Sequence, residues 1–380
     1  MEPITFKSLI EIDEKHFILE TSSMPGRSRF SYYTQLEGRI ISQRESEYPD
    51  GLNDEGVKHY LQKWHKARAV ELESIFRLNR KIDEKATPDT CWKMGVILLS
   101  NGFYEDAKNR FLKALELEPT HFQAAKNYGL ALMLLGDLAG AVEALNKAKE
   151  LSPSFADIYY HLGNTHLFNN DLDQAVQCYI QALQINPRYA DARLRLGTAC
   201  LGYLLQSDNA LNDTKTKELA ERARKETETA AFLNPKVRNR YFLMGMDYLK
   251  SKKYEKAYQS FLDVRPKFLP RTGDEIVFYF NLTLLYGNEG IDMQMTEQYI
   301  EKLAGVIEEY PQYADLRHHL AVAYLIECRF AVARSLKEFQ KALEINPQYK
   351  KAAVHSADVD DLNKRVMTVL RKIIISTVNN

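Results

Sequence analysis

Histidine pairs are the residues of this 380-residue sequence that could bind a metal ion, because a zinc site commonly takes two histidines four residues apart on one helix face. The closest pairs have other spacings, of five, one and six residues, in His161/His166, His318/His319 and His59/His65. The first two spacings do not put both side chains on one helix face, and the third pair has no cysteine or carboxylate at ligand spacing. We therefore interpret these histidines as polar residues on helix surfaces, and the sequence predicts no metal site and no cofactor.

Enzyme signatures are the next possibility, and the sequence contains no phosphate-binding loop, no dinucleotide-binding glycine motif and no nucleophile elbow. An acidic run at Asp358, Asp360 and Asp361 falls near the start of a predicted helix, where the helix dipole favours carboxylates. The sequence therefore predicts a protein that is not an enzyme. The alternative is an enzyme or ligand-binding activity in the first 86 residues, which a loss of activity on mutating His16 or Asp13 would reveal.

Charge and cysteine content restrict the classes of partner and compartment. Lys and Arg together number 51, as do Asp and Glu, so the formal net charge is zero and nucleic acid is not an expected partner. No apolar run approaches the roughly 20 residues that span a bilayer, and residues 1–7 lack the pattern of a signal peptide. The four cysteines lie far apart, which is typical of reduced thiols, so the sequence predicts a cytoplasmic protein.

Prolines recur in one frame along most of the chain. Six of the twelve are separated by 34, 34, 48, 76 and 36 residues, at Pro119, Pro153, Pro187, Pro235, Pro311 and Pro347. A period of 34 residues with a few insertions explains all five intervals. Such self-similarity at a fixed period is typical of a repeat protein.

Small and large apolar residues keep the same frame. The first unit has two alanines around a large apolar residue before its proline, and the next two units repeat this order: Ala107, Phe111, Ala114; Ala141, Leu145, Ala148; Ala175, Tyr179, Ala182. Further upstream each unit has a large residue followed by a small one, as in Leu162-Gly163. This pattern resembles the tetratricopeptide repeat (TPR) family, whose 34-residue unit has W-x2-L-G-x2-Y, then A-x3-F, then P.

The resemblance implies a mainly α fold. About seven repeats over residues 87–348 would form a right-handed α-solenoid of helix hairpins, in which a small residue at each crossing lets two helices approach. The divergent seventh unit is expected to pair a helix around Tyr324 with another around Phe339. Residues 349–380 are predicted to form a helix that caps the array, with a dimerisation face as the alternative. Its apolar stripe comprises Val366, Val369, Leu370, Ile373 and Ile374.

Two insertions and one break interrupt the period. Residues 202–215, in the fourth unit, are rich in Asn, Asp and Ser and predict either a loop or an extended first helix, as a tolerated insertion or as a binding loop. Residues 287–292 form a smaller insertion in the sixth unit. Two prolines within residues 265–273 predict a bend in the solenoid.

The first 86 residues have a different pattern. Four β-rich runs form two pairs around polar turns, at residues 6–12, 16–21, 29–36 and 39–44. A helix is predicted over residues 54–83, because Leu61, Trp64 and Leu72 belong to an apolar stripe. The sequence therefore predicts a small α+β module, in which a four-stranded antiparallel sheet packs on one helix, and this module could cover the first repeat.

The family resemblance also implies where a partner binds. In TPR proteins the first helix of each unit lines a concave groove, and on this chain that groove comprises Lys126, Asn127, Tyr160, His161, Asn164, Phe168, Arg195, Thr198 and Phe242. This mixture of aromatic, amide and cationic groups suits a peptide, since aromatic anchors often carry the affinity. The predicted function is a non-enzymatic scaffold that binds a peptide or partner protein during assembly of a bacterial complex. The alternative is a scaffold that assembles into a homo-oligomer.

Overall fold

The computed structural model describes residues 3–12, 15–24, 28–206, 213–264, 274–286, 293–309, 311, 314–348 and 350–378. By their contacts these residues fall into two compact units, Met1–Pro270 and Arg271–Asn380. The chain is an α-solenoid of helix hairpins preceded by a small α+β module, as predicted. The domain limits at residues 86 and 348 stay predictions.

Four strands at the start of the chain form one antiparallel sheet in the order β1-β2-β3-β4. They are β1 (Thr5–Ile12), β2 (Lys15–Ser23), β3 (Arg29–Leu36) and β4 (Arg39–Glu47). Glu37 and Gly38 have positive φ angles of 50° and 79°, which give the turn between β3 and β4 the twist that a tight hairpin needs. Both predicted hairpins are therefore confirmed, with strands a few residues longer than expected.

Helix α1 (Asp54–Ile82) packs on β1 and β2. The Asn53 side chain accepts a hydrogen bond from the Gly56 amide and so caps the start of the helix. His65 is buried against the sheet, where its ring nitrogens lie 2.8 Å from Ser8 Oγ and 3.0 Å from Thr21 Oγ1. The interpretation of His65 as a surface histidine is therefore wrong. The sequence around His65 does not show its burial, because the hydroxyls that bind it come from distant strands.

The described part of the first unit contains five antiparallel helix hairpins. They are α2 (Pro88–Ser100) with α3 (Tyr104–Leu117), α4 (Phe122–Leu135) with α5 (Leu138–Leu151), α6 (Ala156–Phe168) with α7 (Leu172–Ile185), α8 (Ala190–Gln206) with α9 (Asp213–Leu233), and α10 (Arg240–Lys250) with α11 (Tyr254–Leu262). A Cβ atom on Gly163 would lie 2.6 Å from Cε1 of Tyr179, so only glycine lets α6 and α7 cross this closely. The hairpins predicted from the 34-residue period are confirmed here.

The sheet module packs against the first hairpin. The ring of Phe103, in the turn between α2 and α3, lies 5.6 Å from that of Phe17 and 4.9 Å from that of Phe76, measured between centroids. Lys15 Nζ also lies 2.7 Å from Asp106 Oδ1 on α3. The module therefore packs on the first repeat, which the sequence offers as a possibility only.

The fifth hairpin departs from the stacking of the others. At the first three junctions the second helix of one hairpin packs on the first helix of the next, whereas α10 barely touches α9 and α11 packs on α8 instead. The insertion extends α8 to 17 residues, and a Cβ atom on Gly202 in this extension would lie 2.9 Å from the Tyr258 ring of α11. The prediction of an extended first helix is confirmed, while residues 207–212 lie outside the described residues.

The second unit contains α12 (Asp274–Tyr286), α13 (Met293–Glu309), α14 (Ala314–Ile345) and α15 (Lys350–Val378). The predicted seventh hairpin is wrong, because α14 is one continuous helix of 32 residues. Its sequence has no Gly, Pro or Asn, whereas Gly102, Gly136 and Asn170 adopt positive φ in the turns of the first three hairpins. The insertion at 287–292 and the break at 265–273 lie outside the described residues.

Helix α15 packs on α14, and its predicted apolar stripe is only partly buried. Leu370 is 3% exposed and packs with Val322, Ala323 and Ile326 in the core of this unit, while Val369 is 46% exposed. The side chains of Ile373 and Ile374 lie outside the described residues. The stripe therefore does not face inward along its whole length, as an end cap alone would require.

Candidate functional site

The structure buries most of the side chains that the family resemblance places in a groove. Seven of the nine are buried: Asn127, Tyr160, His161, Asn164, Arg195, Thr198 and Phe242. Phe168 is 46% exposed, and Lys126 is half-buried. This packing corrects the expectation that the whole set lines an open groove. Contact with a partner stays a prediction for these residues.

Arg195 shows the physical reason for this burial. It lies on α8 and is 1% exposed, and its Nη1 and Nη2 atoms donate hydrogen bonds to the carbonyl oxygens of Phe261 at 3.2 Å and Val264 at 2.8 Å. Those carbonyls lie at the carboxyl end of α11, where unpaired oxygens and the helix dipole attract a cation. Because α11 packs on α8, it takes the hydrogen bonds that were expected to serve a partner.

Other members of the predicted groove hold helices together. The Tyr179 hydroxyl donates a hydrogen bond to Asn164 Oδ1 at 2.8 Å, and the Thr198 hydroxyl donates one to the Leu194 carbonyl at 2.9 Å. The Phe242 ring packs against that of Phe261, with centroids 5.8 Å apart. Burial raises the pKa of Tyr179, so its hydroxyl stays protonated and keeps donating.

His161 is a buried histidine between two opposite charges. Burial lowers its pKa to about 4; the positive charge of Lys126 acts in the same direction, and the carboxylate of Asp157 opposes both. The ring is therefore neutral at pH 7, and its Nδ1 atom has no hydrogen-bond partner among the described residues. The interpretation of His161 as a surface histidine is wrong, because only 6% of the residue is exposed.

A regular row of side chains runs along the first three hairpins, and we call it the aromatic ladder. Each rung joins a residue of a first helix to the residue 29 positions later, beside the start of the next first helix. The rungs are Trp92–His121 with ring centroids 5.6 Å apart, Lys126–Phe155 with Nζ 5.3 Å from the ring centroid, and Tyr160–Tyr189 with ring centroids 5.0 Å apart.

The first two rungs of the ladder reach the surface. Phe155 is 37% exposed, and Trp92, His121 and Lys126 are half-buried. Phe122 joins these rungs, because its ring lies edge-on to Phe155 with centroids 5.5 Å apart. We call this accessible part, comprising Trp92, His121, Phe122, Lys126 and Phe155, the open rungs. The third rung is closed, since Tyr160 is only 1% exposed.

Sequence reasoning based on first helices misses the loop side of the ladder, although a signal is present. His121, Phe155 and Tyr189 each stand two residues after a proline of the 34-residue frame. An aromatic ring at one position in three successive units therefore indicates a continuous row. The family resemblance did anticipate Lys126 and Tyr160, the two members of this row that it places in the groove.

The sheet module contains two other groups of polar side chains that could form a site. A polar recess of about 410 Å³ lies in the sheet module beside Ser28, Arg29 and Tyr48, and Arg29 there forms an ion pair with Glu47 at 2.6 Å. His16 is exposed, with Nδ1 3.4 Å from Glu11 Oε1, and Asp13 lies outside the described residues. Among the described residues there is no group of three or more metal-ligating side chains.

The cysteines and the apolar content of the helices match the sequence-based predictions. Cys91, Cys178 and Cys200 are buried free thiols and Cys328 is an exposed one, so the prediction of unpaired cysteines is confirmed. Burial raises the pKa of both Cys178 and Cys200 to about 11, which keeps them protonated and unreactive. None of the helices in the described ranges is long and apolar enough to cross a membrane.

Comparison with known families identifies the repeats directly. Residues 93–154 and residues 156–189 each match a tetratricopeptide repeat model. These two stretches contain α3 to α7 and most of α2, and they include His121, Phe122 and Lys126 of the open rungs. Trp92 lies just before the first stretch, and Phe155 lies between the two. A comparison with curated proteins gives no match.

Several solved structures are similar to part of the chain. MamA from Desulfovibrio magneticus RS-1 has 24% identity and a TM-score of 0.37, covering 46% of this chain and 92% of that one. The pilF protein of Pseudomonas aeruginosa has 19% identity and a TM-score of 0.36, covering 62% and 96%. YrrB, described as a TPR protein with an unusual peptide-binding site, has 18% identity and a TM-score of 0.35, covering 50% and 92%. Residues 93–154 and 156–189 are therefore tetratricopeptide repeats, and they follow a small antiparallel β module at the start of the chain.

Proposed function

We propose that this protein is a non-enzymatic scaffold that binds a peptide or a segment of a partner protein on the open rungs of its aromatic ladder. The observation that carries the proposal is the pair of adjacent rungs, in which accessible aromatic rings and a lysine lie side by side on rigid helix starts. Interface hot spots are enriched in aromatic residues that are already held in place.

The open rungs are preorganised by local contacts. The His121 ring nitrogen Nδ1 accepts a hydrogen bond from the Ala124 amide at 3.1 Å, which fixes the ring at the start of α4. Lys126 lies over the Phe155 ring, so its ammonium group and the aromatic face stabilise each other. A partner segment would bury the edges of Phe155 and Phe122 and place a carbonyl or carboxylate oxygen near Lys126. Little side-chain entropy would be lost, because these groups are already packed.

The proposal also includes a role in the assembly of a protein complex and a location in the cytoplasm. A scaffold that also carries a sheet module on its first hairpin has two separate surfaces, which is what the assembly of a protein complex requires. The three buried thiols fit a reducing compartment such as the cytoplasm.

The test is affinity capture from a native lysate with the wild-type chain and two single variants. Phe155→Ala removes the exposed ring of the open rungs, and Phe168→Ala removes a more exposed ring that lies outside the ladder. We expect the captured partner to be lost from Phe155→Ala, with at least a tenfold weaker affinity, and kept by Phe168→Ala. Loss from Phe168→Ala alone would contradict the proposal and return the site to the helix face first predicted.

A further inference from the structure

The hairpin formed by α14 and α15 extends beyond the start of α13, the described helix that packs on α14. Arg334 Nη2 on α14 lies 3.8 Å from the sulfur of Met293, the first residue of α13, so residues 335–345 of α14 continue past the start of that helix. Within this extension Phe339 packs against His355 of α15, with ring centroids 6.1 Å apart. A pair of helices with a single seam between them leaves its outer faces in contact with water.

The outer face of α15 has an apolar stripe. Val354 is 59% exposed, Leu362 is 47% exposed and Val369 is 46% exposed. They are spaced eight and seven residues apart, which puts them on one side of a helix, while Leu370 and Ala352 face the core. Single exposed apolar residues are common on proteins, but a stripe along a helix that already has one partner indicates a second partner.

The charges within this stripe show what kind of partner fits. Asp358 lies four residues after Val354, and Arg365 lies four residues before Val369, with Leu362 between the two charges. All five side chains share the exposed side, and Arg365 contacts Asp361 at 2.5 Å along its own helix. The order of side chains along the stripe is therefore apolar, charged, apolar, charged, apolar in both directions. When the stripe is reversed, Asp358 takes the place of Arg365 and Arg365 takes the place of Asp358.

We propose that this protein forms a homodimer in which the α15 stripes of two copies pair antiparallel around a two-fold axis near Leu362. In that arrangement Val354 of each copy packs on Val369 of the other, and Asp358 of each copy faces Arg365 of the other. A parallel arrangement would instead put Asp358 against Asp358, which like-charge repulsion disfavours. A two-fold interface uses the same patch on both subunits, and a stripe that matches itself when reversed meets that condition.

The dimer goes beyond the proposed partner binding and does not depend on it, because the open rungs lie in the other unit. Partner capture tests the open rungs, and the mass of the purified chain tests the dimer, so failure of one leaves the other intact.

The decisive experiment is a charge exchange followed by sedimentation equilibrium of the full chain between about 1 and 100 µM. We expect the wild type to be dimeric at the upper concentrations, and Asp358→Arg and Arg365→Asp each to weaken association at least tenfold. The double variant Asp358→Arg/Arg365→Asp should restore it. Lys364→Asp, an exposed charge change on the opposite side of α15, is the matched control and should leave association unchanged.

Disulfide trapping tests the orientation independently. In a Cys328→Ser background, Leu362→Cys should give a covalent dimer under mild oxidation, because it lies near the two-fold axis. Val354→Cys should cross-link only when mixed with Val369→Cys. A wild type that is monomeric at 100 µM, or a Val354→Cys chain that cross-links to itself, would overturn the proposal.

Discussion

The same position of the repeat has different surroundings along the array. Trp92, Lys126, Tyr160 and Leu194 are separated by 34 residues and occupy equivalent places in α2, α4, α6 and α8. The first two are half-buried, whereas Tyr160 and Leu194 are each 1% exposed. A repeat motif therefore fixes where a side chain lies on its hairpin, but the neighbouring hairpins decide whether a partner can reach it.

The difference divides the first unit into a part with accessible rings, where we propose that a partner binds, and a part in which the equivalent side chains are buried. In the second and third hairpins the ladder carries accessible rings, while next to Leu194 the guanidinium of Arg195 is held by the end of α11. Lys126 thus lies over an accessible ring, whereas the Arg195 guanidinium is bound by backbone carbonyls. Substitutions in the two parts are expected to affect different measurements.

The largest expected effect on stability comes from Arg195→Met. The substitution keeps the length of the apolar stem but removes the two hydrogen bonds to the carbonyls of Phe261 and Val264, and bonds to charged groups contribute about 2 kcal/mol each. We expect the free energy of unfolding, measured with urea, to fall by about 3 to 4 kcal/mol. Arg224→Met is the matched control: Arg224 pairs with Glu221 at 2.6 Å on the exposed surface of α9, so its loss should leave the free energy of unfolding nearly unchanged. Equal losses in the two variants would contradict the structural role of Arg195.

A pH-dependent effect of similar size is expected at His161. The folded pKa of about 4 lies below the ordinary value of 6.5, so the unfolded chain takes up a proton first as the pH falls. The associated stability is therefore complete above pH 6.5, decreases as the pH falls and is lost by about pH 4. The shift corresponds to about 3 kcal/mol.

The matched variant is His161→Asn, because Asn127 occupies the equivalent place one repeat earlier. The wild type should lose about 3 kcal/mol more of its unfolding free energy than this variant between pH 7 and pH 4. Parallel pH profiles for the two chains would show that His161 is not held neutral by burial.

A smaller effect on stability distinguishes a glycine at a helix crossing from a glycine on an open helix surface. Gly163→Ala places a methyl group against the Tyr179 ring, which cannot move freely because its hydroxyl is bonded to Asn164. We expect a loss of about 1 to 3 kcal/mol in thermal or urea unfolding. Gly305→Ala on α13 meets nothing within 4 Å and should stabilise the chain by about 0.5 to 1 kcal/mol. A stabilised Gly163→Ala variant would mean that the hairpin tolerates a wider crossing.

Local signals in the sequence predicted most of the architecture. The four strands and helix α1 follow from turn residues and apolar periodicity within or beside each element. The hairpins of the first unit follow from the 34-residue frame, in which the same short pattern recurs in each unit. The seventh hairpin was wrong because the period was continued through α14, where the residues that would end a helix are missing.

The candidate site was harder to predict because burial depends on distant parts of the chain. Arg195 is covered by carbonyls 66 and 69 residues away, and no short pattern around Arg195 shows that contact. His65 is similarly bonded to Ser8, 57 residues earlier. By contrast, the loop side of the ladder could be predicted from the sequence, since Phe155 and Tyr189 occupy the same repeat position, two residues after a proline.

The most direct test of the central claim, that partners bind on the open rungs, is site-specific photocross-linking. A benzoylphenylalanine at position 155 would be compared in a native lysate with one at position 232, where Phe232 is 79% exposed on α9, far more than Phe155 at 37%. We predict a cross-linked partner at position 155 and none at position 232, despite the greater exposure there. Cross-linking at position 232 without any at position 155 would contradict the account.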